Sequence, residues 1–171
     1  MARQRTLRFD PIAEARRQWE AHGWEEAAPG MAAVTSIFRA QQIYLARIDA
    51  VLRPLGLTFA RYEVLMLLLF SRAGSLPLNK VGARLQVHPT SITNAVDRLL
   101  AQGFLLRVPH ATDKRTTLAE ITEKGRAVAV EATNAVNREV FTSPGLSQSD
   151  LDELVELLRR LRAATGDFEP D

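Results

Sequence analysis

A mainly helical chain carrying one small β-hairpin, an α+β fold, is what the sequence predicts, on three observations. Apolar residues recur at steps of three and four over most of the 171 residues, the period of helices with one buried face. Between residues 104 and 121 that period gives way to two short apolar runs around a polar turn, the pattern of a hairpin. Pro11, Pro89 and Gly103 stand where helices would begin or stop.

Taken in order, Asp10-Pro11 opens a first helix, with proline in the turn where its missing N–H costs nothing. Ile12, Ala15, Arg16 and Trp19 share one face, Gly23 ends the helix, and residues 28–30 (APG) read as a break. Residues 31–55 read as a long helix, with Val34, Ile37, Phe38, Tyr44, Leu45, Ile48, Val51 and Leu52 in register and Pro54 and Gly56 closing it. Thr58 starts the next helix, which runs to about Arg72. Its run at 64–70 (VLMLLLF) is apolar all round, so this helix is expected to be central and buried. Residues 73–77 read as a loop.

Residues 78–85 form a short helix with Leu78, Val81 and Leu85 on one side, and Gln86, Val87 and His88 make a tight turn. Pro89 then begins a helix whose buried face is Ile92, Ala95, Val96, Leu99 and Leu100. Its other face shows Thr90, Ser91, Thr93, Asn94, Asp97 and Arg98. Gly103 stops it as a left-handed cap. Residues 104–108 and 116–121 are the two strands, with polar residues 110–115 between them. Thr122 caps a helix to about Phe141, despite Gly125 in its first turn. Residues 142–145 turn, and Ser147, Ser149 and Asp150 offer caps for a last helix striped with Leu151, Leu154, Val155, Leu157, Leu158 and Leu161. Residues past Thr165 are expected to fray.

Helix, tight turn, helix and hairpin in this order make a winged helix-turn-helix, and its chemistry suits double-stranded DNA. The second helix of such a pair enters the major groove with its N-terminal residues near base edges. Here those residues are small hydrogen-bonding groups: Thr90, Ser91, Thr93 and Asn94, with His88 just before and Arg98 further along. Hydroxyls reach phosphates or bases, and an asparagine amide pairs in bidentate fashion with adenine. At the hairpin tip Lys114 and Arg115 suit backbone or minor-groove contact. Charge is distributed accordingly. Residues 72–115 hold seven basic groups and two acids, a net +5, against 15 basic and 18 acidic groups, a net −3, in the rest.

Other chemistry finds little support. An apolar content of 46% with 25% charged residues is ordinary for a soluble protein. No apolar run approaches the roughly 18 residues of a membrane helix, and the basic N-terminus lacks the apolar core of a secretory signal. The absence of cysteine excludes disulfides and thiol-based sensing. His22, His88 and His110 are too scattered for a metal site, and no nucleophile elbow, phosphate-cradling glycine loop or paired carboxylates occur. The expectation is a non-enzymatic protein of a bacterial cytoplasm without cofactor. The alternative classes are a winged-helix protein-interaction module, which needs no basic wing, and an architectural DNA binder without a ligand.

Six short stretches resemble the MarR family of bacterial transcription regulators: residues 57–65 (LTFARYEVL), 87–93 (VHPTSIT), 96–99 (VDRL), 103–104 (GF), 113–115 (DKR) and 121–125 (ITEKG). The resemblance spans roughly residues 31–165 and lies in order and spacing. It implies a repressor-type regulator that binds a palindromic operator as a homodimer, with both chain ends interleaved with those of a second subunit. It also implies that Arg115 enters the minor groove while Asp113 fixes the wing. Many members carry a basic residue where Asn94 stands, so base preference does not transfer. Dimerisation has a reason in the residues too, since both flanking amphipathic ends would leave apolar surface in a monomer.

The organisation implied is an N-terminal extension at 1–30, a dimerisation helix at 31–57, the DNA-binding domain at 58–121 and C-terminal dimerisation helices at 122–171. A small anionic aromatic effector is expected near the long helix. Arg39, Arg47 and Arg61 are the candidate carboxylate partners, each near an aromatic residue, with Tyr44 and Trp19 beside them. Urate-responsive relatives also carry an added helix with a tryptophan, loosely matched by Trp19, and an acid near Glu63. Their recognition-helix arginine aligns with Ala95, which argues against urate.

Overall fold

The computed structural model of the protein describes residues 7–85, 89–110 and 116–169. Among these residues the chain forms helices α1 (Pro11–Ala21), α2 (Ala28–Leu52) and α3 (Phe59–Phe70), a strand β1 (Ser75–Pro77), helices α4 (Leu78–Leu85) and α5 (Pro89–Ala101), strands β2 (Leu105–Pro109) and β3 (Thr117–Ile121), and helices α6 (Glu123–Val136) and α7 (Gln148–Ala164). A single 3₁₀ turn (Arg53–Leu55) follows α2, and a π-helical turn (Asn137–Phe141) extends α6.

The core lies where α3 packs on α5 and α6, with the C-terminal end of α2 closing it. Leu52, Leu65, Leu68 and Leu99 are fully buried there. Each such side chain contributes about 1.5–3 kcal/mol relative to exposure. The buried Tyr62 hydroxyl is hydrogen-bonded to the Thr133 hydroxyl at 3.0 Å, so α3 and α6 are joined without leaving that polar group unmatched. α3 is less evenly buried than its composition suggests. Tyr62, Val64, Leu65 and Leu68 face the core, while Phe70 at its end is 77% exposed.

Two local expectations are corrected. The supposed break at residues 28–30 is the first turn of α2, with Pro29 inside it and Ala28 fully buried. Proline is tolerated there because its missing N–H would have had no helical partner. The helix expected at 31–55 therefore begins at Ala28 and ends at Leu52. The supposed loop at 73–77 contains β1, which pairs antiparallel with β3, so the hairpin is part of a three-stranded sheet of order β1-β3-β2. Three residues cannot display an alternation, and their partner lies some forty residues on, which is why the pattern is silent there.

Two junctions follow the expected local chemistry. Asp10 caps α1 by accepting from the Ile12 N–H at 2.9 Å. After α5, Gly103 adopts φ +72°, the Phe104 N–H donates to the Leu99 carbonyl and the Gly103 N–H to that of Leu100, a Schellman cap. β2 departs immediately from it.

The first turn of α6 explains its glycine. A Cβ on Gly125 would stand 2.1 Å from the Phe104 carbonyl oxygen. Replacement by alanine would gain about 1 kcal/mol in helix propensity. It would cost about 1–3 kcal/mol or more by forcing backbone apart in a packed core. Gly125→Ala is therefore expected to lower the unfolding free energy, measured by urea denaturation, despite being a helix-favouring change.

Candidate nucleic-acid interface

α5 has two chemically distinct sides. Ile92, Ala95, Val96 and Leu99 are buried, and Thr90, Ser91, Thr93, Asn94, Asp97 and Arg98 are exposed. The five candidates on α5 thus share one outward face. His88 and the wing-tip residues Asp113, Lys114 and Arg115 lie outside the described residues.

Two features of this face have no local sequence signature. Arg107 on β2 donates to Asp97 on α5 at 2.6 Å, tying the wing's first strand to the recognition helix. The second is an open cleft of about 430 Å³ between the start of α3 (Thr58, Ala60, Arg61) and the α5 face (Ser91, Asn94, Arg98). Arg61 is held at its rim. Its Nε donates to Thr58 Oγ1 at 3.2 Å and a terminal nitrogen donates to the Gly56 carbonyl at 2.9 Å. The same carbonyl receives Gln102 Nε2 at 3.0 Å. Among the described residues no acidic side chain lines this cleft. Glu63, two residues further along α3, is half-buried, and burial pushes its carboxyl above the usual range.

The five effector candidates are not gathered in one place. Trp19 on α1 meets the Trp24 ring edge-on at 5.3 Å. Arg39 on α2 is exposed and donates to Gln42. The Tyr44 hydroxyl donates to the Pro144 carbonyl, and Arg47 stacks over the Tyr44 ring and donates to the Glu139 carbonyl at 3.3 Å. These two therefore brace the turn between α6 and α7. Arg61 belongs to the recognition-helix cleft. Among the described residues no group of three or more His, Cys, Asp or Glu is placed to hold a metal, and no helix is long and apolar enough to cross a membrane.

A helix pair whose second helix presents hydrogen-bonding groups outward, followed at once by a sheet that buttresses it, is a winged helix-turn-helix DNA-binding module. The chain belongs to the MarR family: the family's model matches residues 57–117. The transcriptional regulator MhqR of Bacillus subtilis is 32% identical over 108 residues, 62% of this chain and 72% of that one. The structure of Sco5413, a MarR family transcriptional regulator from Streptomyces coelicolor, is 50% identical and covers 83% of this chain and 99% of that chain, with a TM-score of 0.75. BpsR of Bordetella bronchiseptica, whose DNA binding is regulated by 6-hydroxynicotinic acid, is 23% identical, covers 80% of this chain and 93% of its own, and shares the fold with a TM-score of 0.68. The protein is accordingly a DNA-binding transcriptional regulator and not an enzyme.

The ion pair between wing and recognition helix is about half exposed on both partners. Its direct worth is therefore about 0–1 kcal/mol. Asp97→Ala, Arg107→Ala and the double variant are expected to give a coupling energy within that range in a urea-denaturation cycle.

Proposed function

We propose that the protein is a repressor that acts in a bacterial cytoplasm, binds a palindromic operator as a homodimer and is released by a small anionic aromatic effector. The observation that carries this reading is the exposed, hydrogen-bonding face of α5, with Ser91, Thr93 and Asn94 set near its N-terminal end. The dimer is supported by apolar side chains that the protomer leaves open: Val34, Ile37 and Phe38 on α2, and Leu154, Val155 and Leu157 on α7, which buries no residue of its own. A two-fold dimer matches two half-sites about one helical turn apart. The effector is supported by the arginines on α2 and by the aromatic acid that regulates BpsR.

Selection of bound duplexes from a random pool tests the whole reading. An inverted repeat should emerge, and sedimentation of the free protein should give about twice the 19.0 kDa chain mass. Recovery of no duplex would leave a protein-interaction module. Recovery of duplexes without a shared sequence would leave an architectural binder. Binding repeated with aromatic acids present should weaken by about 5–150-fold for a true effector, the usual span of coupling between sites.

The face and the wing should separate on the selected operator. Thr93→Ala and Asn94→Ala should relax base preference with little change in salt dependence. Arg115→Ala should weaken binding to all sequences and shallow the salt slope by about one phosphate equivalent per subunit. It should leave the dimer intact.

A further inference from the structure

We propose that Arg61 is a DNA-backbone contact, and that the cleft between α3 and α5 seats a phosphodiester of the strand bordering the recognition helix. The proposal rests on the DNA-binding reading above and adds a site to it. Sequence pattern alone sets Arg61, beside Tyr62, as an effector residue. In the fold it lines two clefts, one with Asp49 and Arg53 and the other, on the α5 face, with Ser91, Asn94 and Arg98.

Three properties of the cleft suit a phosphodiester. Its charge is unbalanced among the described residues: two guanidinium groups line it and no carboxylate does. On the flanking elements, Asp97 is engaged by Arg107 at 2.6 Å and Asp49 by the Phe59 N–H at 2.8 Å, and Glu63 on α3 is not among the cleft's lining residues. The remaining polar groups, the Thr58 and Ser91 hydroxyls and the Asn94 amide, suit phosphate oxygens.

The arginine is also pre-positioned. Two hydrogen bonds, to the Gly56 carbonyl and Thr58 Oγ1, hold the guanidinium at the rim and still leave N–H donors for a phosphate oxygen. Holding the group beforehand reduces the side-chain entropy lost on binding. The carbonyl that anchors it is fixed in turn by Gln102, just beyond α5, and by the left-handed Gly56 at φ +70°. Arg61 is therefore set relative to the recognition helix itself. A contact at this position would fix how deeply and at what angle α5 enters the groove.

The test uses Arg61→Gln and Arg61→Lys in the full chain, with the operator recovered from the random pool and an unrelated duplex of equal length. Arg61→Gln should weaken binding to both duplexes by a similar factor, roughly tenfold per subunit and so about a hundredfold for the dimer, the loss of one charge-assisted hydrogen bond in each subunit. It should shallow the salt slope by about one per subunit, and Arg61→Lys should restore the slope. Because Arg61 also braces the turn before α3, a reading on the DNA side separates contact from scaffold. Neutral methylphosphonate linkages placed singly along the operator should reveal a position where neutralisation weakens the wild type but not Arg61→Gln.

A wild-type protein that binds no duplex overturns both the DNA reading and this site. A wild type that binds, with Arg61→Gln unchanged in affinity and slope, overturns this site alone. So does a variant that weakens binding equally at every methylphosphonate position, the result of a purely structural role. Loss of stabilisation by an aromatic acid in Arg61→Gln, with DNA binding intact, would overturn it in favour of an effector site.

Discussion

The DNA-binding half depends on one backbone crossing, where the first turn of α6 lies directly on the chain leaving α5. Gly125 permits it, since any side chain there would strike the Phe104 carbonyl. Thr122 then works in two directions. Its hydroxyl accepts from the Gly125 N–H at 2.9 Å, capping α6, and donates to the Gly103 carbonyl at 2.9 Å. Its N–H donates to the Phe104 carbonyl at 3.1 Å. Lys124 reaches the Gln102 carbonyl and lies over the Phe104 ring. The end of α5, the start of β2 and the start of α6 are thus locked at a single point. The wing cannot swing without disturbing the recognition helix.

Much of this was legible in the sequence because the signals are local. The buried face of α5 is written in Ile92, Ala95, Val96 and Leu99, and the stop at Gly103 follows from glycine's access to the left-handed region. The start of α2 escapes the sequence for a local reason too: Pro29-Gly30 resembles a breaker, and only tertiary burial of Ala28 and the turn before it show proline at work as an initiator. What stayed illegible is non-local. β1 is too short to have a period and exists because β3 passes beside it. The Asp97–Arg107 pair joins two elements of different type, so neither helical nor strand spacing relates the two residues. Arg61 sits next to an aromatic residue in the chain, yet its direction was set by the turn at Gly56.

The two ends of the chain show the opposite economy. α7 has a well-formed start, where Ser147 and Asp150 make a reciprocal capping box, yet it buries no residue within its own protomer. Local capping contributes about 1 kcal/mol and cannot by itself hold a helix whose leucines face water. On the α2 side, Tyr44 and Arg47 grip the turn that launches α7, and the π-helical turn beneath is closed by the Thr142 N–H donating to the Asn137 carbonyl. The direction of α7 is therefore defined by the protomer even though its packing is not. Under the proposed dimer, this turn would set the distance between the two recognition helices.

A division of labour on the DNA face follows from its charges. The exposed side of α5 carries one acid, Asp97, that Arg107 matches, and one base, Arg98, so the helix itself offers a polyanion a single charge. Its neutral hydroxyls and amide are suited to discriminate bases, and they do so best when something else supplies the binding energy. Under the readings proposed above, that something is basic groups outside the helix: Lys114 and Arg115 in the sequence of the wing, and Arg61. Neutral readers need such fixed anchors on either side. An unanchored helix of hydroxyls would meet each sequence equally weakly, because hydrogen bonds to bases only replace those made by water unless the geometry is imposed. The junction at Gly125 and the turn at Gly56 impose it, one from the wing side and one from the α3 side of the same helix.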